Sequence, residues 1–234
     1  MESIPEGGLA VVVGASGGLG GAFVKALRDG GRFAEILAVS RSGPEALDVT
    51  DEARVARFAQ EVAERDAPLR LVIDATGFLH DENRKPEKSW REIDAAHMAH
   101  SYAVNAIGPM LLMRDLLPLL PREGKAVFAT LSAKVGSIGD NHLGGWYSYR
   151  AAKAALNQLV RTAGVELARR RAEAICIALH PGTVRTGLTG PFSKSGLDVQ
   201  EPGEAAARLV AVIDGLVPAD SGGFFDYRGE RLPW

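Results

Sequence analysis

One cysteine, Cys176, stands alone among 234 residues, so no internal disulfide can form. It sits in the apolar run Ala174-Ile175-Cys176-Ile177-Ala178-Leu179, where a thiol serves as a small core group, and a reducing, cytoplasmic compartment is expected. Charge of one sign is missing too. A formal net charge of -2 gives no broad field for gathering nucleic acid or anionic membrane. No apolar run approaches the roughly 20 residues that span a bilayer, and the acidic start Met1-Glu2-Ser3-Ile4-Pro5-Glu6 has no signal-peptide pattern. His97 and His100 lack the intervening glutamate and spacing of a zinc helix. No nucleic acid, membrane or metal is therefore expected.

Aromatics make up only 6%, against 27 glycines, a balance that points to tight turns and close backbone approaches. Apolar runs of strand length alternate with segments of helical period. Leu9 to Val13, Ile36 to Val39, Leu71 to Ile73, Ala126 to Ala129, Ala174 to Leu179 and Gly223 to Phe225 read as strands. The helical segments are Leu19 to Arg28, Glu52 to Glu64, Trp90 to Leu120 in two pieces, Tyr149 to Arg169 and Ala205 to Ile213. Continuously apolar strands have both faces covered, and strict alternation gives right-handed parallel crossovers. The expectation is an α/β fold: one Rossmann-type doubly wound domain over residues 1–234, with about seven parallel strands and helices on both faces.

The first strand runs into Gly14-Ala15-Ser16-Gly17-Gly18-Leu19-Gly20 and then a helix. In such a fold this turn offers backbone N–H groups and a helix dipole to a pyrophosphate, with glycines where a Cβ would block approach. The same residues also spell the Gly-x-Ser-x-Gly elbow of an esterase, with Ser16 as nucleophile. The elbow leaves Gly20 without a role and has no upstream loop for an oxyanion hole. The second strand ends at Ser40-Arg41-Ser42, without the carboxylate that grips a ribose 2′-hydroxyl. Arg41 suits a 2′-phosphate, so NADP(H) is expected ahead of NAD(H).

Tyr149 and Lys153 are four apart and share a helix face. A fixed ammonium beside a phenol favours the phenolate and moves its pKa from about 10 toward the working range. By itself the pattern recurs by chance on solvated helices.

Together these motifs resemble the short-chain dehydrogenase/reductase family over nearly the whole chain, from Leu9 to Phe225. The residues that carry the resemblance are the Gly14/Gly18/Gly20 turn, Asp48-Val49, Asn105, Tyr149-x-x-x-Lys153 and Pro181-Gly182-Thr183-Val184-Arg185-Thr186. Gly136-Ser137-Ile138-Gly139-Asp140-Asn141, Gly144-Gly145-Trp146-Tyr147 and Gly223-Phe224-Phe225-Asp226 are most similar to the C-factor and sniffer-type carbonyl reductases within it. The resemblance implies an oxidoreductase that reduces a ketone, aldehyde or quinone with NADPH. Tyr149 would handle the proton, Lys153 would hold the nicotinamide ribose and lower the phenol's pKa, and Asn105 would keep a helix open for a water relay. Gly14, Ser16, Gly17, Gly18, Leu19, Gly20, Arg41, Asp48, Val49, Ala75, Thr76, Gly77, Pro181, Gly182, Val184 and Thr186 would line the cofactor. A homodimer or homotetramer is implied, and a substrate lid is expected over about 187–202, with Leu188, Pro191, Phe192 and Leu197 apolar and Gly190 and Gly196 as hinges.

Three positions depart from the family pattern. Val13 replaces a common threonine, Asp74-Ala75-Thr76-Gly77 replaces Asn-Asn-Ala-Gly, and Ala133 stands where a catalytic serine is usual. Ser132 is the expected substitute, with Ser137 or no serine as the other choices. Ala133 also keeps open a C-factor-like, cofactor-binding signalling protein with little turnover.

Overall fold

Strands β1 (Leu9–Val13), β2 (Glu35–Val39), β3 (Leu69–Asp74), β4 (Ala126–Leu131) and β5 (Ala174–His180) arise where the apolar runs fall. Two short strands, β6 (Thr183–Val184) and β7 (Val199–Gln200), pair with each other, and β8 (Phe224–Asp226) returns to the main sheet. The computed structural model describes residues 1–43, 46–189 and 199–234. The main sheet is parallel, in the order β2-β1-β3-β4-β5-β8.

Among the described residues this sheet has six strands where about seven were expected. Just past the end of β2, Ser40 O accepts from Leu47 N–H at 2.8 Å. Asp48 then draws the chain into a turn by accepting from the Thr50 N–H and hydroxyl, at 2.9 and 2.7 Å. The β6–β7 pair is a separate sheet.

Alternating side chains feed a core on each face of the sheet. Leu9, Val11 and Val13 join one buried cluster, and Ala10 and Val12 the other. Helices α1 (Gly18–Gly30) and α6 (Pro202–Gly215) cover the second cluster through Phe23, Leu27, Leu209 and Ile213. Helices α2 (Glu52–Ala63), α4 (Gly108–Leu116) and α5 (Tyr147–Arg170) cover the first through Phe58, Leu112 and Leu156. Beneath α5, strand β5 presents only Ala174, Cys176 and Ala178. Small groups there let a long helix lie close, and burial pushes the Cys176 thiol up to about 12. No helix of the described residues is long and apolar enough to cross a membrane.

Helix α3 (Ala95–Tyr102) passes into α4 through a wider π turn at Ala103–Ile107. The cause is Pro109, which lacks the N–H that would bond the Asn105 carbonyl in a regular helix. Instead the Gly108 N–H reaches back to the Ala103 carbonyl.

Candidate active site

The glycine turn is fixed by close backbone contact. Gly14 has φ +84° and its N–H bonds Val39 O at 2.8 Å. A Cβ on Gly20 would stand 2.1 Å from the Gly14 carbonyl oxygen, and one on Gly14 would stand 2.9 Å from the Ala75 backbone. Neither neighbour can yield, because both are main chain. Gly20→Ala is expected to cost about 1–3 kcal/mol through overpacking and to weaken dinucleotide binding. An unchanged urea midpoint would show that the turn can open.

Gly17 caps α1 without a side chain, and no acid stands in the first turn. The first N–H groups at the positive end of α1 are thus left without a side-chain cap or a neighbouring acid. The turn opens on a cleft of about 510 Å³ lined by Gly14, Ser16, Gly17, Arg41, Asp48, Val49, Ala75, Thr76 and Gly77. The glycine cradle and uncapped helix fit a dinucleotide pyrophosphate. Gly18 lies beside the cleft, where a Cβ would meet the Thr186 methyl at 3.1 Å. Leu19 turns its side chain into the core instead, and Gly20 is buried.

Thr50 holds the Asp48 carboxyl below the usual carboxylate range through its hydroxyl and N–H, with Arg41 adding to the effect. Val184 is buried, Pro181 O accepts from the Gln200 side chain at 3.1 Å, and Gly182 (φ +77°) packs on Gln200 and Tyr227. These residues brace the floor between β5 and the β6–β7 pair. Leu188 and Gly187 line the cleft, and Gly187 O lies 3.2 Å from His80 Nε2. The expected lid positions Gly190, Pro191, Phe192, Gly196 and Leu197 lie outside the described residues.

Tyr149 and Lys153 occupy the first two turns of α5, with Lys153 Nζ 5.9 Å from the phenol ring centre. Lys153 is 2% exposed and its Nζ donates to Leu131 O at 2.8 Å. Burial lowers its pKa from 10.5 to about 8, and the Asp74 carboxylate opposes that shift. Asp74 is fully buried and accepts from Thr76 N–H (3.0 Å), Thr76 hydroxyl (2.6 Å) and Thr130 hydroxyl (2.6 Å). It therefore stands as a fixed negative charge behind the lysine. Burial pushes the Tyr149 phenol up, opposite to the shift anticipated from Lys153 alone.

Asn105 is fully buried and clips the Phe78 peptide, accepting from its N–H at 2.9 Å and donating to its carbonyl at 2.7 Å. Ser132 follows the end of β4. Its hydroxyl is 3% exposed and donates to Asn157 Oδ1 at 2.6 Å. Asn157 is eight positions beyond Tyr149, about 12 Å along the helix. Ser137 follows Gly136, whose Cβ would touch Lys153 at 2.8 Å, so the Ser137 turn packs against the Tyr149/Lys153 segment. Its oxygen accepts from Asp140 N–H at 3.2 Å, a bond that leaves the hydroxyl proton uncommitted.

The elbow reading finds no support in this geometry. Among the described residues no hydrogen bond joins Ser16 to a histidine, and burial lowers His180, the base it would need, to about 4. The sequence reading also missed Glu87 and Ser148. These two are buried and bonded to each other beside Tyr149. The buried Ser148 could have been found from its place between Tyr147 and Tyr149, but nothing in the sequence pairs it with Glu87.

A family model described as Enoyl-(Acyl carrier protein) reductase matches residues 21–212. The chain belongs to the short-chain dehydrogenase/reductase family and is an oxidoreductase of that family. It is similar to the C-signal protein of Myxococcus xanthus, 38% identical over 144 residues that make up 61% of this chain and 82% of that one. It is also similar to the 1-hydroxy-2-glutathionyl-2-methyl-3-butene dehydrogenase of Rhodococcus sp. (strain AD45), 30% identical over 237 residues, 96% of this chain and 98% of the other. Among solved structures, the NADPH-bound carbonyl reductase from chicken fatty liver matches with TM-score 0.85 at 26% identity, covering 98% of this chain and 100% of that one.

Proposed function

We propose that this protein is an NADPH-dependent carbonyl reductase, converting a ketone, aldehyde or quinone to its alcohol with Tyr149 as proton donor. The observation that carries this reading is the Tyr149/Lys153 pair on α5, in the same fold as a glycine cradle and an uncapped helix end. The nicotinamide, when bound, supplies hydride to the carbonyl carbon. The chain's own residues handle the proton. A phenol pushed up by burial keeps its proton at neutral pH, so it is poised to donate to the carbonyl oxygen. Lys153, backed by Asp74, offers positive charge to the phenolate that results. Ser137 is the hydroxyl that best fits the role of steadying the developing alkoxide, because Ser132 is committed to Asn157. Near-normal turnover in both Ser132→Ala and Ser137→Ala would remove a serine from the reaction.

Arg41 lines the cleft next to Asp48, which supports recognition of a 2′-phosphate there. Arg41→Ala is expected to weaken NADPH binding by about 10- to 100-fold, the worth of a charge-assisted bond, and to leave NADH binding nearly unchanged. Titration with both dinucleotides checks this, and equal losses would refute it. Loss of NADPH absorbance against a panel of quinones, aldehydes and diketones tests the reductase itself.

The C-signal likeness, together with Ala133 at the usual serine position, favours one second reading: a cofactor-binding signalling protein with little turnover. Tight NADPH binding without turnover of any panel compound, and a cellular role untouched by Tyr149→Phe, would favour it. The proposed assembly is a homodimer or homotetramer, and the proposed location is cytoplasmic.

A further inference from the structure

A helix begins with N–H groups that its own backbone cannot satisfy. Helix α5 begins at Tyr147, and its cap residue, Trp146, makes no side-chain capping bond to it. Trp146 also has φ +53°, and it is the one non-glycine residue with positive φ among those described. Gly144 and Gly145 before it are left-handed as well, at +63° and +66°. A bulky side chain in that region persists only where its surroundings hold it there.

The restraint comes from Glu87, on the segment between β3 and α3. Its side chain is 2% exposed. The Glu87 carbonyl accepts from Trp146 N–H at 2.5 Å, and its Oε2 accepts from Ser148 N–H at 3.2 Å. Its Oε1 accepts from the Ser148 hydroxyl, with His97 Nδ1 3.7 Å away. A carboxylate from elsewhere in the chain thus caps the helix, where the dipole favours negative charge. A buried carboxylate is costly unless it is bonded, and these contacts offset that cost. The network continues inward. Ser101 donates to Ser148 O at 3.3 Å and accepts from Asn105 Nδ2 at 3.2 Å. One result is that the Trp146 ring meets the Tyr149 ring edge-on, at 6.2 Å and 69°.

We propose that Glu87 is a positioning residue for Tyr149: by capping α5 from outside it fixes the left-handed Trp146 turn and, with it, the direction of the phenol. The proposal rests on the reductase reading for its kinetic consequence but not for its geometric one. Misplacement of a reacting group by about 1 Å can cost 100-fold in rate.

The test compares Glu87→Ala, Glu87→Gln and Ser148→Ala with the unaltered protein, using phenanthrenequinone and NADPH. Glu87→Ala is expected to lower kcat at least about tenfold, with the NADPH Kd within about twofold. Glu87→Gln keeps one acceptor oxygen and is expected to recover most of the rate, and Ser148→Ala should fall between them. A second readout needs no turnover: ultraviolet titration of Tyr149, assigned by its absence in Tyr149→Phe. Freed from its clamp, the phenol is expected to titrate closer to about 10, the ordinary tyrosine value.

Wild-type kcat and an unchanged Tyr149 titration in Glu87→Ala would overturn the proposal. Should Glu87→Ala fail to melt cooperatively, Ser148→Ala decides, and wild-type kcat with an unmoved phenol would again overturn it. Should the unaltered protein reduce no panel compound, the reductase reading fails and the titration alone decides the positioning role.

Discussion

Tyr149→Phe is expected to lower the rate of carbonyl reduction by about 10²- to 10⁴-fold, the usual worth of a positioned general acid, while NADPH binding stays within about twofold. The substitution removes one oxygen and keeps the ring. The edge-on contact with Trp146 and the packing on α5 therefore survive. Tyr149 is not among the residues that line the cleft with the glycine turn and Arg41, so a dinucleotide held there is expected to keep those contacts. What is lost is the proton donor alone. Stopped-flow NADPH oxidation against phenanthrenequinone measures kcat, and quenching of protein fluorescence measures the NADPH Kd. A variant that still turns over at more than a tenth of the parent rate would show that the proton comes from another group.

Much of this site was legible in the sequence because its signals are local. Leu9–Val13 is a β-branched run ending at glycine, and the strand forms over those residues. The Gly14/Gly20 contact follows from a turn too tight for a Cβ, which the glycines themselves announce. The pair on α5 needs only helical spacing. The features that escaped depend on contacts between distant segments. The Ser132 hydroxyl bonds Asn157, 25 residues along the chain, a contact no motif announces. The sheet holds six strands among the described residues, one short of the expected count. Glu87, between Pro86 and Lys88, reads as a solvated charge, yet it is buried by a partner 61 residues away. The left-handed Trp146 was marked only by the two glycines before it.

Lys153→Met is expected to abolish most of the activity and yet stabilise the protein at neutral pH. The lysine is buried, and its pKa falls from 10.5 in the unfolded chain to about 8 in the folded one. At pH 7 both states hold the proton, so the folded state carries the full cost of a desolvated ammonium. That cost is about 3 kcal/mol, from roughly 1.4 kcal/mol per pKa unit. As pH rises from about 8 toward 10.5 the folded state releases its proton first. The unfolded state then holds more protons, and stability rises with pH through that window. Methionine removes the charge and keeps an apolar stem in the same space. The substitution gives up the bond to Leu131 O, worth about 1 kcal/mol. Asp74 keeps its three hydrogen bonds from Thr76 and Thr130, so it is not left unsatisfied. The net expectation is a gain of about 2 kcal/mol at pH 7, shrinking steadily by pH 10. Urea unfolding at several pH values without NADPH measures it, beside a turnover assay on the same samples. For the unaltered protein, turnover should fall as pH rises through about 8, where the ammonium is lost. A methionine variant less stable than its parent at pH 7 would mean that the lysine is held by more than the Leu131 carbonyl and the field of Asp74. A gain in stability with a loss of rate would show that this charge is kept for its action on the phenol, at a cost to the fold.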